Sequence, residues 1–255
     1  MEAKPSKSDP GREFPRLANI GLSGILVTFS DELSEAANRA ALAFRARLGA
    51  ESWAGIEETT TSLTSVYIRF DPGHLSHSKL RKSLTVLIES EDWFASSLPR
   101  KRRLWRIPTA YGGSFGPQLA EAAALAQMSV PQAISQISSS RLRVLTIGFA
   151  PGQPYLGTLP DAWDIPRQSG LSAQIPACAL AVAIRQLVLF TAQTPTGWRH
   201  IAQTGFRGFR PESETPFALR PGDEVVFPQV SEAVFANILA AEGGENGGAG
   251  WEDIK

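Results

Sequence analysis

The chain has 255 residues, with 25 Lys and Arg balanced by 25 Asp and Glu, and 43% of its residues are hydrophobic. This length suits one large or two small domains with a substantial core. The lack of net charge argues against general nucleic-acid binding, which usually shows a basic face. Cys178 is the single cysteine, so an intramolecular disulfide and a cysteine zinc site are both excluded. We interpret Cys178 as a buried, inert thiol because it lies in an apolar run.

The first fifteen residues are polar and predict a disordered tail without a signal-peptide apolar segment. Elsewhere no run approaches 18 apolar residues, so no membrane span is predicted. The expected location is therefore the cytoplasm.

Residues 16–99 predict an α+β domain in which strand, helix, two strands and a second helix follow one another. This order is most of a ferredoxin-like split βαβ unit. A helix over 31–48 would be capped by Ser30 or Asp31. The other expected elements are a strand at 25–29, two antiparallel strands within 54–70, a helix over 76–89 and a last strand near 103–107.

A basic run, Arg-Lys-Arg-Arg, occupies residues 100–103. We interpret it as a solvated junction between domains and not as a nucleic-acid patch. Residues 104–230 then change character, because short apolar runs alternate with Pro and Gly turns. That spacing predicts a β-sheet or barrel, after a strand over 104–107 and helices over 118–127 and 132–137. The runs lie at 142–149, 175–191, 198–204, 216–219 and 224–227, and residues 231–255 are expected to form a C-terminal tail.

The most distinctive motif is the segment 148–157, Gly-Phe-Ala-Pro-Gly-Gln-Pro-Tyr-Leu-Gly. It follows a strand-like run at 144–147. Proline fixes φ and glycine permits positive φ, so this backbone takes a defined irregular path. Structured loops that leave a strand often carry function.

Other motifs favour structural interpretations. Ser114 lies in a Gly-x-Ser-x-Gly pattern, with Asp161 or Asp164 and His200 downstream, but the preceding strand contains Pro108 and the βα repeats of a hydrolase are missing. His74 and His77 have no third metal ligand nearby, so no metal site is predicted. The Arg-Pro-Gly-Asp stretch at 220–223 is interpreted as a structural turn.

Seven segments in the same order resemble the KipI / allophanate hydrolase subunit 1 family, which includes the B-type subunit of 5-oxoprolinase and half of the carboxyltransferase domain of urea carboxylase. They span residues 104–228. The segments are Ile-Pro-Thr-Ala-Tyr-Gly-Gly at 107–113, Phe-Gly-Pro-Gln-Leu at 115–119, the 148–160 loop, Pro-Arg at 166–167, Ile-Pro-Ala at 175–177, Pro-Thr-Gly-Trp at 195–198 and Leu-Arg-Pro-Gly-Asp at 219–223.

The resemblance implies an N-terminal ferredoxin-like domain and a C-terminal cyclophilin-like β-barrel. It also implies ATP-dependent opening of 5-oxo-L-proline, with ATP and Mg serving the complex. The implied partners are a KipA-like protein (the C-type subunit), which would share a composite site, and a third LamB/YcsF-like subunit. No catalytic residue is assigned. The binding candidates are Gly112, Gly113, Gly148, Pro151, Gly152, Tyr155, Arg167 and Gln186.

The chain departs from the family pattern at several of these positions. Gln153 replaces a Phe, Gln118 replaces an acidic residue, and Ile137 replaces a histidine. In the family's Gly-Gly-x-Gln-Thr-Gly-x-Tyr-Pro loop, here 183–191, only Gln186 is retained. An alternative function is therefore a non-catalytic regulator that binds and inhibits a sensor histidine kinase. A cyclophilin-type prolyl isomerase is a weaker alternative, resting on fold analogy alone.

Overall fold

A computed structural model describes residues 14–241 and 246–254 of the chain. It divides into two compact units, Met1–Pro99 and Arg100–Lys255. Almost all of the predicted 1–15 tail lies outside the described residues. Within the part that is described, no helix has the length and apolar character needed to cross a membrane.

The first unit is an antiparallel sheet with two helices. The strand order is β1-β2-β4-β3. Its core consists of apolar side chains from β2, β4 and both helices, including Phe29, Phe44 and Leu84. The elements are β1 (Arg16–Ile20), β2 (Gly24–Thr28), α1 (Glu35–Glu51), β3 (Ile56–Ser62), β4 (Ser65–Phe70) and α2 (His77–Glu89).

Two predictions for this unit are wrong. Helix α1 is capped by Ser34, whose side chain accepts a hydrogen bond from the Ala37 N–H. The predicted caps lie too early in the chain, because the helix begins at Glu35; Asp31 instead pairs with Arg16 and the Ser30 hydroxyl accepts from Glu32 N. The strand predicted near 103–107 does not complete this sheet, since β1 occupies the edge beside β2. The ferredoxin-like assignment therefore stays a prediction.

The second unit is built on one large, mainly antiparallel sheet. Among the described residues its strand order is β15-β5-β14-β7-β8-β11-β10-β13-β6, and β9 pairs separately with β12. The strands are β5 (Arg102–Arg106), β6 (Thr109–Tyr111), β7 (Leu142–Ile147), β8 (Pro154–Gly157), β9 (Ser172–Ile175), β10 (Ala179–Ala183), β11 (Gln186–Leu189), β12 (Thr194–Thr196), β13 (Arg199–Thr204), β14 (Glu224–Val226) and β15 (Gly250–Ile254). The helices are α3 (Leu119–Leu125), α4 (Val130–Ser139) and α5 (Glu232–Ala240).

The C-terminal segment is part of this unit and is not the predicted tail. Ser231 caps α5 by accepting from Val234 N, and β15 pairs along the whole of β5. The ring centroids of Trp251 and Trp105 lie 6.1 Å apart, so apolar contact accompanies the strand pairing. The apolar run at 216–219 forms no strand, because its pairing is confined to a bridge between Phe209 and Phe217.

An ion pair fixes the start of β5 to the turn before β14. Asp223 is 3% exposed and Arg103 is 12% exposed. The Asp223 carboxylate accepts hydrogen bonds from Arg103 N at 3.1 Å and from Arg220 N at 3.0 Å. The structural interpretation of the Arg-Pro-Gly-Asp turn is thus supported. The solvated interpretation of the basic run is wrong for its second half, because Arg102 also pairs with Glu224.

Candidate functional site

Strands β8, β10 and β11 carry two different faces. One face places Leu156, Leu180 and Leu187 in the main core of the unit. The other face packs Tyr155 against a smaller cluster from β10 and its neighbours. We call this second surface the alanine face; its residues are Ala179, Ala181, Ala183, Val188, Phe190, Ile175, Trp198 and Tyr155. Because the side chains from β10 are small, the aromatic residues are the largest groups on the alanine face.

Two predicted site residues meet beside Trp198 on this face. The Tyr155 ring lies edge-on to the Trp198 ring, with centroids 6.0 Å apart. The Arg167 guanidinium carbon lies 6.0 Å from the Trp198 centroid. Arg167 is exposed, so its charge is available to an anion. The partly exposed Tyr155 ring and the exposed Arg167 cation suit a small ring or amide that carries a carboxylate, while Trp198 is buried behind them.

A hydrogen-bond network holds the segment before β9 against β13. Gln118 donates to Gln168 Oε1 at 2.7 Å and accepts from His200 N at 2.9 Å. Gln168 donates in turn to Trp198 O at 3.1 Å. An amide at position 118 performs both roles, whereas an ionised carboxylate could only accept. The buried Arg199 donates to Pro166 O at 2.5 Å, so the network positions the neighbouring Arg167.

The 148–153 loop is held by close backbone packing. Gly152 has a φ of +70°, and a Cβ there would lie 2.8 Å from Gly208 O. Pro151 O accepts from the Thr191 hydroxyl at 2.9 Å. Gly148 N donates to Gln153 O at 3.1 Å, so this amide is already satisfied. Packing alone therefore requires Gly152, and ligand-binding roles for these residues stay predictions.

Gly112 and Gly113 form the turn after β6, with φ values of +69° and +53°. Gly112 N donates to Ile201 O at 3.2 Å. A Cβ at the nearby Gly116 would lie 1.9 Å from that same oxygen. Turn geometry and close approach to β13 thus account for the glycines. A ligand-binding role for Gly112 and Gly113 stays a prediction.

The turn between β10 and β11 uses Ile184 and Arg185 at φ values of +44° and +60°, where the family pattern has glycine at the first position. Its amides are satisfied within the unit: Ile184 N donates to Ile165 O at 2.8 Å, and Arg185 N donates to Trp163 O at 2.9 Å. Gln186 follows, buried and opposite Gly157 on β8. The turn therefore offers neither of these N–H groups to a ligand.

The other candidate chemistries find no geometric support in the described residues. The Nε2 atom of His200 lies 3.1 Å from Ala202 O, and burial lowers the pKa of the imidazole. Asp161 pairs with Arg185 at 2.7 Å. Among the described residues no hydrogen bond joins His200 to Ser114, Asp161 or Asp164, so the triad finds no support. Burial raises the pKa of the Cys178 thiol, in agreement with its inert interpretation, although the residue is only partly buried.

Sequence reasoning placed neither Trp198 nor Gln168 among the binding candidates. Trp198 stands in the Pro-Thr-Gly-Trp motif, which is a signal that could have been used. Gln168 directly follows Arg167, but its hydrogen bonds depend on contacts 30 to 50 residues away along the chain. Local sequence carries no signal for such contacts.

Within residues 14–241 and 246–254, no group of three or more His, Cys, Asp or Glu side chains is arranged to hold a metal ion. A Mg–triphosphate group needs several free backbone N–H donors or a cationic cradle. The amides of Gly112, Gly148, Ile184 and Arg185 all donate to carbonyls of the chain. These four amides are therefore not available to phosphate oxygens.

These features define a two-unit protein with a mixed α and β fold and a large sheet consistent with a cyclophilin-like barrel. The model of the family "Carboxyltransferase domain, subdomain C and D" matches residues 15–219. The chain belongs to this family.

Curated relatives extend the match. The chain is 31% identical to the B-type subunit of 5-oxoprolinase from Bacillus subtilis, over 85% of this chain and 93% of the relative. It is 35% identical to the corresponding 5-oxoprolinase subunit of Escherichia coli O157:H7, over 60% of this chain and 71% of the relative.

Solved structures agree on the fold. The crystal structure of TTHA0988 matches with a TM-score of 0.68 and 30% identity, over 82% of this chain. Urea carboxylase of Kluyveromyces lactis matches with a TM-score of 0.71 over 98% of this chain, and at 18% identity it is evidence of fold alone. This chain spans only 40% of the first and 25% of the second.

Proposed function

We propose that this chain is one subunit of a 5-oxoprolinase-type complex, in which it binds a small cyclic amide. The near end-to-end match to the 5-oxoprolinase subunit of Bacillus subtilis carries the proposal, since it covers 93% of that relative. In this proposal the first unit is a ferredoxin-like module with β1 as its edge strand. The second unit is a cyclophilin-like barrel whose alanine face contributes to the ligand site.

The Tyr155 and Arg167 side of the alanine face suits the chemistry of 5-oxoproline. The partly exposed Tyr155, backed by the buried Trp198, offers a ring surface to a five-membered lactam, and Arg167 offers a guanidinium to its carboxylate. Opening the lactam develops negative charge on the carbonyl oxygen, which nearby donors and cations stabilise. Among the described residues the face presents no general base, so this chain binds and orients the ligand while its partners supply the remaining groups.

The partners in this proposal are a KipA-like protein and a LamB/YcsF-like subunit. The curated relatives are themselves named as subunits, which supports an assembly. The length of TTHA0988, of which this chain spans 40%, is compatible with a relative that joins this module to another. ATP and Mg are assigned to the complex and, within it, to the partners, because four candidate amides of this chain already donate to its own carbonyls.

The test is reconstitution. The chain is co-expressed with its genomic neighbours, purified as a complex, and assayed for ATP hydrolysis that depends on 5-oxo-L-proline. The proposal predicts a stable complex with turnover. A stable complex whose ATP hydrolysis does not depend on 5-oxoproline would contradict the proposed substrate. No complex at all would favour the regulator of a sensor kinase, and binding to such a kinase would then be measured.

A further inference from the structure

Gln153 directly precedes strand β8 and has a buried amide oxygen without a partner. The residue is 1% exposed, and its Oε1 accepts no hydrogen bond from the described residues. Leaving a buried acceptor unpaired destabilises a protein, so native structures contain few such groups. An acceptor of this kind calls for a donor that the chain itself does not supply.

The strand register places this side chain on the same side of β8 as Tyr155. Ile147 pairs with Pro154 and packs against the main core. Position 154 therefore faces that core, and positions 153 and 155 face the opposite way. Gln153 is thus directed to the surface that carries the alanine face.

Gly148, across the ladder from this position, borders open space. Gly148 lies across the ladder from Gln153, since Gly148 N donates to Gln153 O. A Cβ built at Gly148 meets no heavy atom within 4 Å. A small ligand group could approach from that side of the loop, while the packing of Gly152 against Gly208 keeps the loop backbone in place.

We propose that Gln153 is a specificity-determining residue, which accepts a hydrogen bond from an N–H group of the ligand on the alanine face. The proposal rests on the proposed function and narrows its substrate class to amides, lactams or ureides with a free N–H. The family pattern has Phe at this position, and a Phe side chain accepts no such bond. A site built around an unpaired acceptor rejects analogues that lack the donor.

The test compares a lactam with its lactone. Ligand-observed NMR measures the binding of 5-oxo-L-proline and of 5-oxotetrahydrofuran-2-carboxylate, in which oxygen replaces the N–H, to the full-length chain. The variants are wild type, Gln153→Met, Gln153→Leu, and Gln203→Met as the control. Gln203→Met controls for the loss of a buried amide oxygen outside the loop, since the Gln203 Oε1 is also buried and its Nε2 donates to Ala177 O at 2.7 Å.

We expect wild type and the Gln203→Met variant to prefer the lactam by at least about tenfold. Both Gln153 variants should lose that preference and melt no lower than wild type, because they remove an unpaired buried carbonyl. An unchanged preference in the Gln153 variants, or no lactam binding by wild type, would overturn the inference.

Turnover separates this inference from the proposed function. A Gln153-dependent preference in a complex that does not hydrolyse ATP with 5-oxoproline would support the inference and contradict the proposed function. Turnover together with a lactam preference that is unchanged in the Gln153 variants would support the proposed function and contradict the inference.

Discussion

The two faces of β8, β10 and β11 differ in what they pack. Toward the main core, successive strands place Leu156, Leu180 and Leu187, all fully buried. On the opposite side, β10 places three alanines. A face that serves stability alone gains by filling its volume with large side chains, since packing scales with buried apolar area. The alanines of β10 are nonetheless fully buried, with Ala179, Ala181 and Ala183 at 0% exposure. The accessible part of this face is therefore the partly buried Tyr155 together with the exposed Arg167.

The largest expected effect is on stability, from a substitution on the face that packs into the main core. Leu180→Ala leaves a cavity in the main core and should lower the free energy of unfolding by about 2–5 kcal/mol. Urea denaturation of the isolated chain measures the change. A loss below about 1 kcal/mol would mean that this face is loosely packed and that the contrast between faces is overstated.

Adding volume to the alanine face tests whether it is the ligand site. Ala181→Leu should destabilise by about 1–3 kcal/mol through overpacking, and it should also abolish lactam binding. Ala122→Leu, in the main core, is the control: it should destabilise comparably but retain binding in the fraction that is folded. If Ala181→Leu folds and binds the lactam normally, then the alanine face is not the ligand site.

His200, on β13 beside this face, gives a pH signature. Burial lowers the pKa of its imidazole, so the unfolded chain, with a pKa of about 6.5, takes up the proton first as pH falls. The free energy of unfolding is therefore unaffected by His200 above about pH 6.5 and decreases as the pH falls below that value. Melting temperatures from pH 7.5 to 5 should fall further for wild type than for His200→Gln. Parallel curves for the two proteins would contradict this.

The smallest effect is expected at the turn that joins β10 and β11. Ile184 has a φ of +44°, which costs a β-branched residue about 1–2 kcal/mol. Since Ile184 is exposed, replacement by Asn, which tolerates this conformation, should stabilise the chain by about 0.5–1 kcal/mol. Chemical denaturation measures it, and Ile184→Val serves as the control with no expected gain.

Prediction from the sequence succeeded where the signal was local. The β3–β4 pair follows its β-rich pattern, and α2 begins where Ser76 caps it. The prediction failed where distant contacts decide. The sequence allows a strand near 103–107 either to complete the first unit or to open the second. It belongs to the second sheet, where Asp223 and β15 hold it, and the sequence near residue 103 carries no trace of either partner.

The residues of the candidate site were also predicted only where the sequence signal was local. The motif containing Tyr155 and the Pro-Arg pair containing Arg167 were identified from sequence, yet Trp198, the residue that joins them in space, was not placed with them. Gly152 was singled out as a ligand candidate, but its glycine is explained by a carbonyl 56 residues away, at Gly208. A glycine pattern alone does not distinguish ligand approach from backbone packing.

The assignment of the alanine face as the ligand site is tested most directly by 5-oxoproline-dependent ATP hydrolysis in the reconstituted complex, with Arg167→Ala compared against Arg106→Ala. Both arginines are exposed, and Arg106 makes a surface ion pair with Glu252, which contributes little to stability. We expect Arg167→Ala to raise KM for 5-oxoproline by about tenfold or more, the value of one lost charged contact, while Arg106→Ala leaves it unchanged. Equal KM values for the two variants and wild type would contradict the assignment.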